Sequence, residues 1–198
     1  MDRTGIFEGD DPIEIARRWL SEAEGGELND PNAMQLATVD ARGLPDVRTV
    51  LLKGIGPEGF TFFTNYESAK GAQIEATDVA AFVLHWKSLR RQVRGRGPVA
   101  RTDAATSDAY YATRGLGSRL GAWASPQSRP VADRQALEKL ASEAERTHGN
   151  DPARPPHWGG YTIAPTVMEL WCDGANRLHD RFQFTHQDGR WVAQRLGP

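Results

Sequence analysis

Apolar positions recur along this chain in two periods. Over residues 10–26, Ile13, Ala16, Trp19, Leu20 and Ala23 fall on one face at helical spacing, with Pro12 in the first turn and Gly25-Gly26 as the stop. The spacing predicts a first helix. The period then falls to two, and residues 34–40, 46–54, 59–65 and 79–86 read as strands; "ARGLP" and "GPEG" supply turns between the first three. "RQVRGRGPVAR", residues 91–101, continues the β pattern, with Gly95, Gly97 and Pro98 predicting a bulge or an edge. Helical spacing returns over 102–115, capped by Thr102 and closed by Gly115, and over 133–149, where Leu137, Leu140, Ala141 and Ala144 share an inward face. "GGYTIAPTVMELWCDG", "NRLHDRFQF" and "RWVAQRLGP" return to strands, with Asp188-Gly189 as a hairpin turn before the last. Meanders interrupted by a few helices predict a mainly β (α+β) fold, a β-barrel with peripheral helices, over a parallel α/β sheet. We expect one domain over residues 1–198, with residues 1–11 flexible and residues 165–198 forming the C-terminal strands.

Composition narrows the function. Apolar residues make up 39% and charged residues 25% of the 198, the balance of a globular protein. The formal net charge of -2 leaves no global field for nucleic acid, so the local clusters of basic residues point to a small anionic ligand. One cysteine, Cys172, excludes a disulfide framework or a thiolate zinc site within the chain. "MDRTGIFEGDDP" is acidic and lacks the apolar core of a signal peptide, and no run approaches the roughly 18 apolar residues of a membrane helix. A cytoplasmic protein without a membrane partner is expected.

The chemistry lies in a few stretches. In "NRLHDRFQF", read as a strand, alternation puts Arg177, His179 and Arg181 on one face, a cationic row that asks for an anion; the alternative is a charged edge strand. "VRTVLLKG" carries Arg48 and Lys53 at the ends of an apolar run, which by itself is an ordinary core strand. "TNYESAKG" opens a helix at Ser68 with Lys70 in its first turn, where a cation opposes the helix dipole unless an anion binds there. Tyr110 and Arg114, at i and i+4, and Ser118 at the cap of a second short turn supply a hydroxyl, a bidentate fork and a further donor for a phosphate. Gln127-Ser128 offers polar partners for a heteroaromatic ring. His85 reads as a core histidine and His157 as packing against Trp158. No Walker loop, GxSxG, HExxH, dinucleotide fingerprint or metal set is present. Two anion-binding sets without a protein nucleophile fit a phosphorylated cofactor acting on a phosphorylated substrate.

"RTVLLKG", "FFTNYESAKG", "RQVRGRG", "SRLGAWASPQS", "PPHWGGY", "ELWCDGANRLHDRF" and "RLGP" together resemble the pyridoxine/pyridoxamine 5'-phosphate oxidase family, over roughly residues 12–198. The resemblance implies a homodimeric split β-barrel with FMN at the subunit interface. It also implies oxidation of pyridoxine or pyridoxamine 5'-phosphate to pyridoxal 5'-phosphate, with hydride passing from C4' to flavin N5 and dioxygen giving peroxide. Carried over by position, it assigns to FMN the residues Arg48, Thr49, Val50, Leu51, Leu52 and Lys53, then Phe63, Thr64, Lys70, Gln92, Gln127, Ser128, Trp171 and Arg181. Lys53, Tyr110, Arg114 and Ser118 fall to the substrate phosphate, and Arg177 and His179 to the substrate ring as the catalytic pair. Ala69 stands where many members carry Arg and Phe63 where Tyr is frequent, and the N-terminus lacks an evident basic segment; weaker FMN binding follows as an expectation. Competing readings are another flavin enzyme on the same barrel, such as a phenazine-pathway oxidase or flavin reductase, or a binding protein for FMN, pyridoxal phosphate or haem.

Overall fold

A computed structural model describes residues 3–198. The first helix, α1, spans Pro12–Glu24; the Asp11 carboxylate caps it by accepting from the Ile13 N–H at 2.8 Å, and Pro12 fills the position where no donor is needed. Its buried stripe of Ile13, Ala16, Trp19 and Ala23 is the one read from the spacing. The strands follow as β1 (Ala33–Val39), β2 (Pro45–Gly56), β3 (Gly59–Asn65), β4 (Val79–Trp86), β5 (Arg91–Arg101), β6 (Trp158–Ile163), β7 (Val167–Cys172), β8 (Asp180–Gln187) and β9 (Arg190–Arg195). Helix α2 (Ala69–Thr77) lies between β3 and β4, and α3 (Ala104–Ala112), α4 (Leu116–Ala124) and α5 (Arg134–His148) lie between β5 and β6.

The strands pair in the order β4-β1-β2-β3-β6-β5-β7-β8-β9, every pairing antiparallel, and a further β4–β5 pairing closes the first six into a barrel. Strands β7 to β9 extend the sheet from β5. The barrel is filled by Phe60, Phe62, Trp86 and Tyr161, fully buried, while Trp19, Phe182 and Phe184 are buried with α1 and the extension. Truncating a buried aromatic such as Trp19 to alanine costs about 3–5 kcal/mol.

Several expectations are corrected here. Strand β5 is neither bulged nor an edge: it pairs with β4 along residues 91–98 and passes from β7 to β6 on its other side. Its glycines answer to close approach, since a Cβ on Gly95 would sit 2.8 Å from the Phe82 ring and one on Gly97 would sit 2.1 Å from the Ala164 carbonyl oxygen. The segment before Asp11 carries a short 3-10 turn at Gly5–Phe7, which leaves its expected flexibility untested; Phe7 packs on Trp19 and Phe182, and the Trp19 indole donates to the Ile6 carbonyl at 2.9 Å. Met1 and Asp2 lie outside the described residues. Helix α3 is capped by Asp103, not Thr102, and Gly115 precedes α4 rather than closing α3. On α5 only Ala144 is buried; Leu137 and Leu140 are half-buried and Ala141 is exposed, because the helix leans on α4 at the surface. His85 is exposed, on the outer face of β4. "NRLHDRFQF" is a strand only from Asp180, with a 3-10 turn over Ala175–Arg177 before it. The Asp188-Gly189 hairpin stands as expected, both residues at positive φ (49° and 78°) between partners Gln187 and Arg190.

Candidate active site

The barrel opens between β2 and β3. The two strands pair only over residues 52–56 and 59–62, with a register shift at Lys53, whereas residues 45–51 of β2 pair with β1 alone and Phe63–Asn65 of β3 pair with β6 alone. One backbone edge of Arg48–Leu51 and one of Phe63–Thr64 therefore lack a strand partner, and such edges satisfy themselves on water or on a ligand. Residues 48, 50 and 52 turn into the barrel, while Thr49, Leu51 and Lys53 turn outwards and are exposed, with Lys53 carried on the bulge.

At the inner end of this opening, α2 presents Lys70, only 8% exposed. Its Nζ donates to Gln127 Oε1 at 3.1 Å, Ser68 Oγ at 3.2 Å and Thr64 Oγ1 at 3.3 Å, all neutral oxygens. Burial pushes the Lys70 pKa down and the nearby Arg48 guanidinium adds to the shift, with Asp46 opposing it. Arg48 is held by Asp46 Oδ2 at 2.6 Å, Gln73 Oε1 at 3.0 Å, the Leu36 carbonyl and Thr38 Oγ1. A buried ammonium with no carboxylate partner among the described residues, ringed by hydroxyls and an amide, fits a phosphate. Ser68 caps α2 as its position suggested, accepting from the Gly71 N–H.

A second set shares β3 through the next residue. Phe63 stacks on Tyr110 with centroids 4.0 Å apart, and Tyr110 lies nearly parallel to Trp158. The Arg114 guanidinium sits 4.6 Å over the Trp158 ring; its Nη1 is buried without a hydrogen-bond partner among the described residues, and burial lowers the Arg114 pKa. An orphaned guanidinium nitrogen beside a tyrosine fits an oxyanion. Arg114 lies beyond the end of α3, so Trp158, not a shared helix face, unites it with Tyr110. Ser118 is exposed in the first turn of α4. His157 packs as expected, but against Trp123 and the Ala122 carbonyl.

The remaining expected residues lie on β5 and the extension that pairs with it. Gln92, Trp171 and Arg181 face one another in a row across β5, β7 and β8. They line a cleft of about 530 Å³ with Arg94, Glu169, His179 and Pro198. Glu169, 3% exposed, accepts from Arg181 Nε at 2.9 Å and also from Arg94; burial alone would raise its pKa, yet the two arginines together hold it below the usual carboxylate range. His179 also borders a neighbouring cleft of about 820 Å³ with Arg177, Asp173, Arg90 and Cys172. Arg177 and Asn176 both adopt positive φ, 65° and 54°. The expected row of Arg177, His179 and Arg181 on one strand face does not form, because the first two precede β8.

Thus the expected site residues fall into two groups. Arg48–Lys53, Phe63, Thr64, Lys70, Gln127, Tyr110 and Arg114 gather around β2, β3 and α2, with Ser118 and the left-handed, exposed Ser128 nearby in sequence. Gln92, Trp171, Arg177, His179 and Arg181 gather on β5 and the extension. Among the described residues no hydrogen bond, ion pair or strand pairing joins the two groups directly. Residue types alone missed Glu169, Asp173, Gln73, Thr38 and the role of Trp158, since each acquires its partner from a remote segment or, for Asp173 and His179, across a folded-back loop; the one signal was a carboxylate in the apolar strand "VMELWC".

A family model described as pyridoxamine 5'-phosphate oxidase matches residues 20–148, and one described as the pyridoxine 5'-phosphate oxidase C-terminal dimerisation region matches residues 158–198. A pyridoxine/pyridoxamine 5'-phosphate oxidase of Paracoccus denitrificans is 62% identical over 188 residues, covering 93% of this chain and 86% of its own. One of Cereibacter sphaeroides is 58% identical over 201 residues and covers both chains entirely. Among solved structures, PhzG from Burkholderia lata, in complex with tetrahydrophenazine-1-carboxylic acid, superposes with a TM-score of 0.90 at 29% identity, over 96% of this chain and 94% of that one.

Proposed function

The chain belongs to the pyridoxamine 5'-phosphate oxidase family, and from that premise we infer that it oxidises pyridoxine 5'-phosphate or pyridoxamine 5'-phosphate to pyridoxal 5'-phosphate as an FMN flavoprotein. The observation that carries the reading is the pair of anion-seeking sets sharing β3, Lys70 through Thr64 and Arg114 with Tyr110 through Phe63. One phosphate belongs to the cofactor and the other to the substrate, so the two rings are brought side by side at the opening between β2 and β3.

FMN, when bound, would supply the two-electron acceptor for oxidation at the substrate C4', with dioxygen as the final acceptor. The protein's part is placement and charge. Lys70, Arg48, Thr64, Ser68 and Gln127 hold the cofactor phosphate, while the free backbone edges of Arg48–Leu51 and Phe63–Thr64 meet the ring system. Tyr110, Arg114, Ser118 and Lys53 hold the substrate phosphate. Fixing both partners by their phosphates turns a bimolecular encounter into a positioned one, where effective molarities reach on the order of 10⁵ M and above. Gln92, Trp171 and Arg181 take the cofactor from the other side, and Arg177 and His179 cover the substrate ring. Positive charge from Arg181 and Lys53 favours the electron-rich state of the site.

Because the two half-sites do not touch within one chain, the complete site takes one half from each copy of a homodimer, with the cofactor at the interface. The outward face of β2, with Val47 64% and Leu51 42% exposed, supports this arrangement. A cytoplasmic setting accords with the sequence; among the described residues no helix is long and apolar enough to cross a membrane.

The test is oxygen uptake with product absorbance after pyridoxine 5'-phosphate is added to FMN-loaded protein. Turnover to pyridoxal 5'-phosphate with peroxide is expected. A yellow protein inert with both phosphorylated vitamers would transfer the assignment to another oxidase on the same barrel.

A further inference from the structure

The loop from β7 to β8 holds His179 from two sides at a single atom. Asp173 Oδ1 lies 3.1 Å from His179 Nδ1, and the Gly174 backbone N–H donates to the same nitrogen at 3.2 Å. Asp173 is itself anchored: its Oδ2 pairs with Arg90, and its backbone N–H donates to the Arg90 carbonyl at 3.0 Å. Gly174 reaches this position because a Cβ there would sit 2.0 Å from the Leu178 carbonyl oxygen, so only glycine lets the loop fold back so tightly. The imidazole lies against Trp171, with centroids 4.8 Å apart, and borders both clefts of the extension. Its Nε2 has no protein partner among the described residues.

The proton inventory of the ring follows from these contacts. In a neutral imidazole one nitrogen donates and the other accepts. Two partners compete for Nδ1 of the neutral ring: the Gly174 N–H asks for its lone pair, which leaves the proton on Nε2, while Asp173 Oδ1 asks for a proton there. When the ring is protonated, Nδ1–H turns to Asp173, and Nε2 still carries a hydrogen. The other neutral form, with Nδ1–H on Asp173 and Nε2 a base, turns that hydrogen against the Gly174 N–H, as the protonated ring also does.

We propose that Asp173 and the Gly174 N–H hold the His179 ring at Nδ1, and that the Gly174 N–H keeps the neutral ring's proton on Nε2, so that His179 meets the substrate as a hydrogen-bond donor with Asp173 as its positioning residue. The proposal rests on the reading that His179 meets the substrate. The ligand group that fits is an acceptor oxygen on the substrate ring. Arg177 in the same cleft and Arg181 in the next add positive charge on that side, which further favours an electron-rich oxygen over a proton-donating group.

The first experiment is long-range ¹H–¹⁵N correlation spectroscopy on histidine-labelled protein without FMN, with His179 identified by loss of its signals in His179→Gln. The expected neutral ring shows a protonated Nε2 and an unprotonated Nδ1; the opposite tautomer, or an even mixture, overturns the clamp. The second is a double-mutant cycle on FMN-loaded enzyme with Asp173→Ala and His179→Gln. Asp173→Ala is expected to raise KM about tenfold while kcat changes little, the scale of one lost hydrogen bond to a charged or oriented group. It should add nothing in the His179→Gln background and leave FMN affinity within about twofold. Full additivity of the two changes would overturn Asp173 as a positioning residue. A His179→Gln enzyme with unaltered kcat/KM would overturn the substrate reading itself, and the tautomer measurement separates that failure from failure of the clamp.

Discussion

The surroundings of Lys70 and of Arg177 are built by opposite means. Around Lys70 the donors stand on regular structure: β2, β3 and the capped first turn of α2, with Lys70 buried and Arg48 held by four acceptors. Around Arg177 they stand on a short loop with two left-handed residues, exposed at the rim and tied to the sheet through Asp173 and Gly174. A ligand that stays bound suits the rigid set around Lys70, whose desolvated cation has neutral oxygens as its hydrogen-bond partners. A substrate that comes and goes suits the rim, where backbone conformations costing of order 1–3 kcal/mol each are held by local contacts.

The largest effect that could break this contrast is expected at Lys70. Lys70→Met should weaken FMN about 100-fold, the scale of a charge-assisted phosphate contact, without lowering the melting temperature of the protein free of FMN. The sign follows from the lowered Lys70 pKa: between its folded and unfolded values the unfolded chain binds more protons, so stability of the FMN-free protein rises with pH there, and Lys70→Met should abolish that rise. Fluorescence titration and calorimetry check both; a large loss of stability would mean that Lys70 serves the fold instead of an anion. At the other half, Arg177→Ala should lower kcat at saturating substrate by on the order of tenfold or more with FMN affinity intact. Nearly full turnover would remove Arg177 from the reacting centre.

Two smaller changes sharpen the contrast. Ala69 is exposed at the start of α2 beside Lys70, and Ala69→Arg should tighten FMN up to about tenfold by adding a charge-assisted contact. An unchanged titration would show that the existing cradle already satisfies the phosphate. Glu169→Gln should act on acid stability. The Glu169 carboxyl is held below its ordinary range in the folded protein, so its contribution is present above the unfolded value and is lost as pH falls through the folded one. The variant should show a shallower loss of melting temperature on acidification, alongside a lower stability at neutral pH where Arg94 and Arg181 lose their counter-charge.

Local pattern determined a good deal of this protein. Alternation located the strands, because one face of each must be buried, and helical spacing with Asp11, Pro12 and Gly25 located α1, because a helix end must satisfy its own donors. Lys70 at a helix start and the cluster of cations before β8 announced anion chemistry for similar reasons: charge placed where it costs stability asks for a partner. The register did not extend where turns intervened. Residues 177 and 179 looked like strand positions until two left-handed residues broke the alternation, and the glycines of β5 looked like an edge although Phe82 and Ala164 press on them from across the fold. Only the tertiary structure parted β2 from β3, brought Trp158 under Arg114, placed Glu169 between Arg94 and Arg181, and set Asp173 on His179. Those contacts join residues far apart in the chain or folded back across a tight turn, and their energies depend on which strands lie side by side, a property that no local period records.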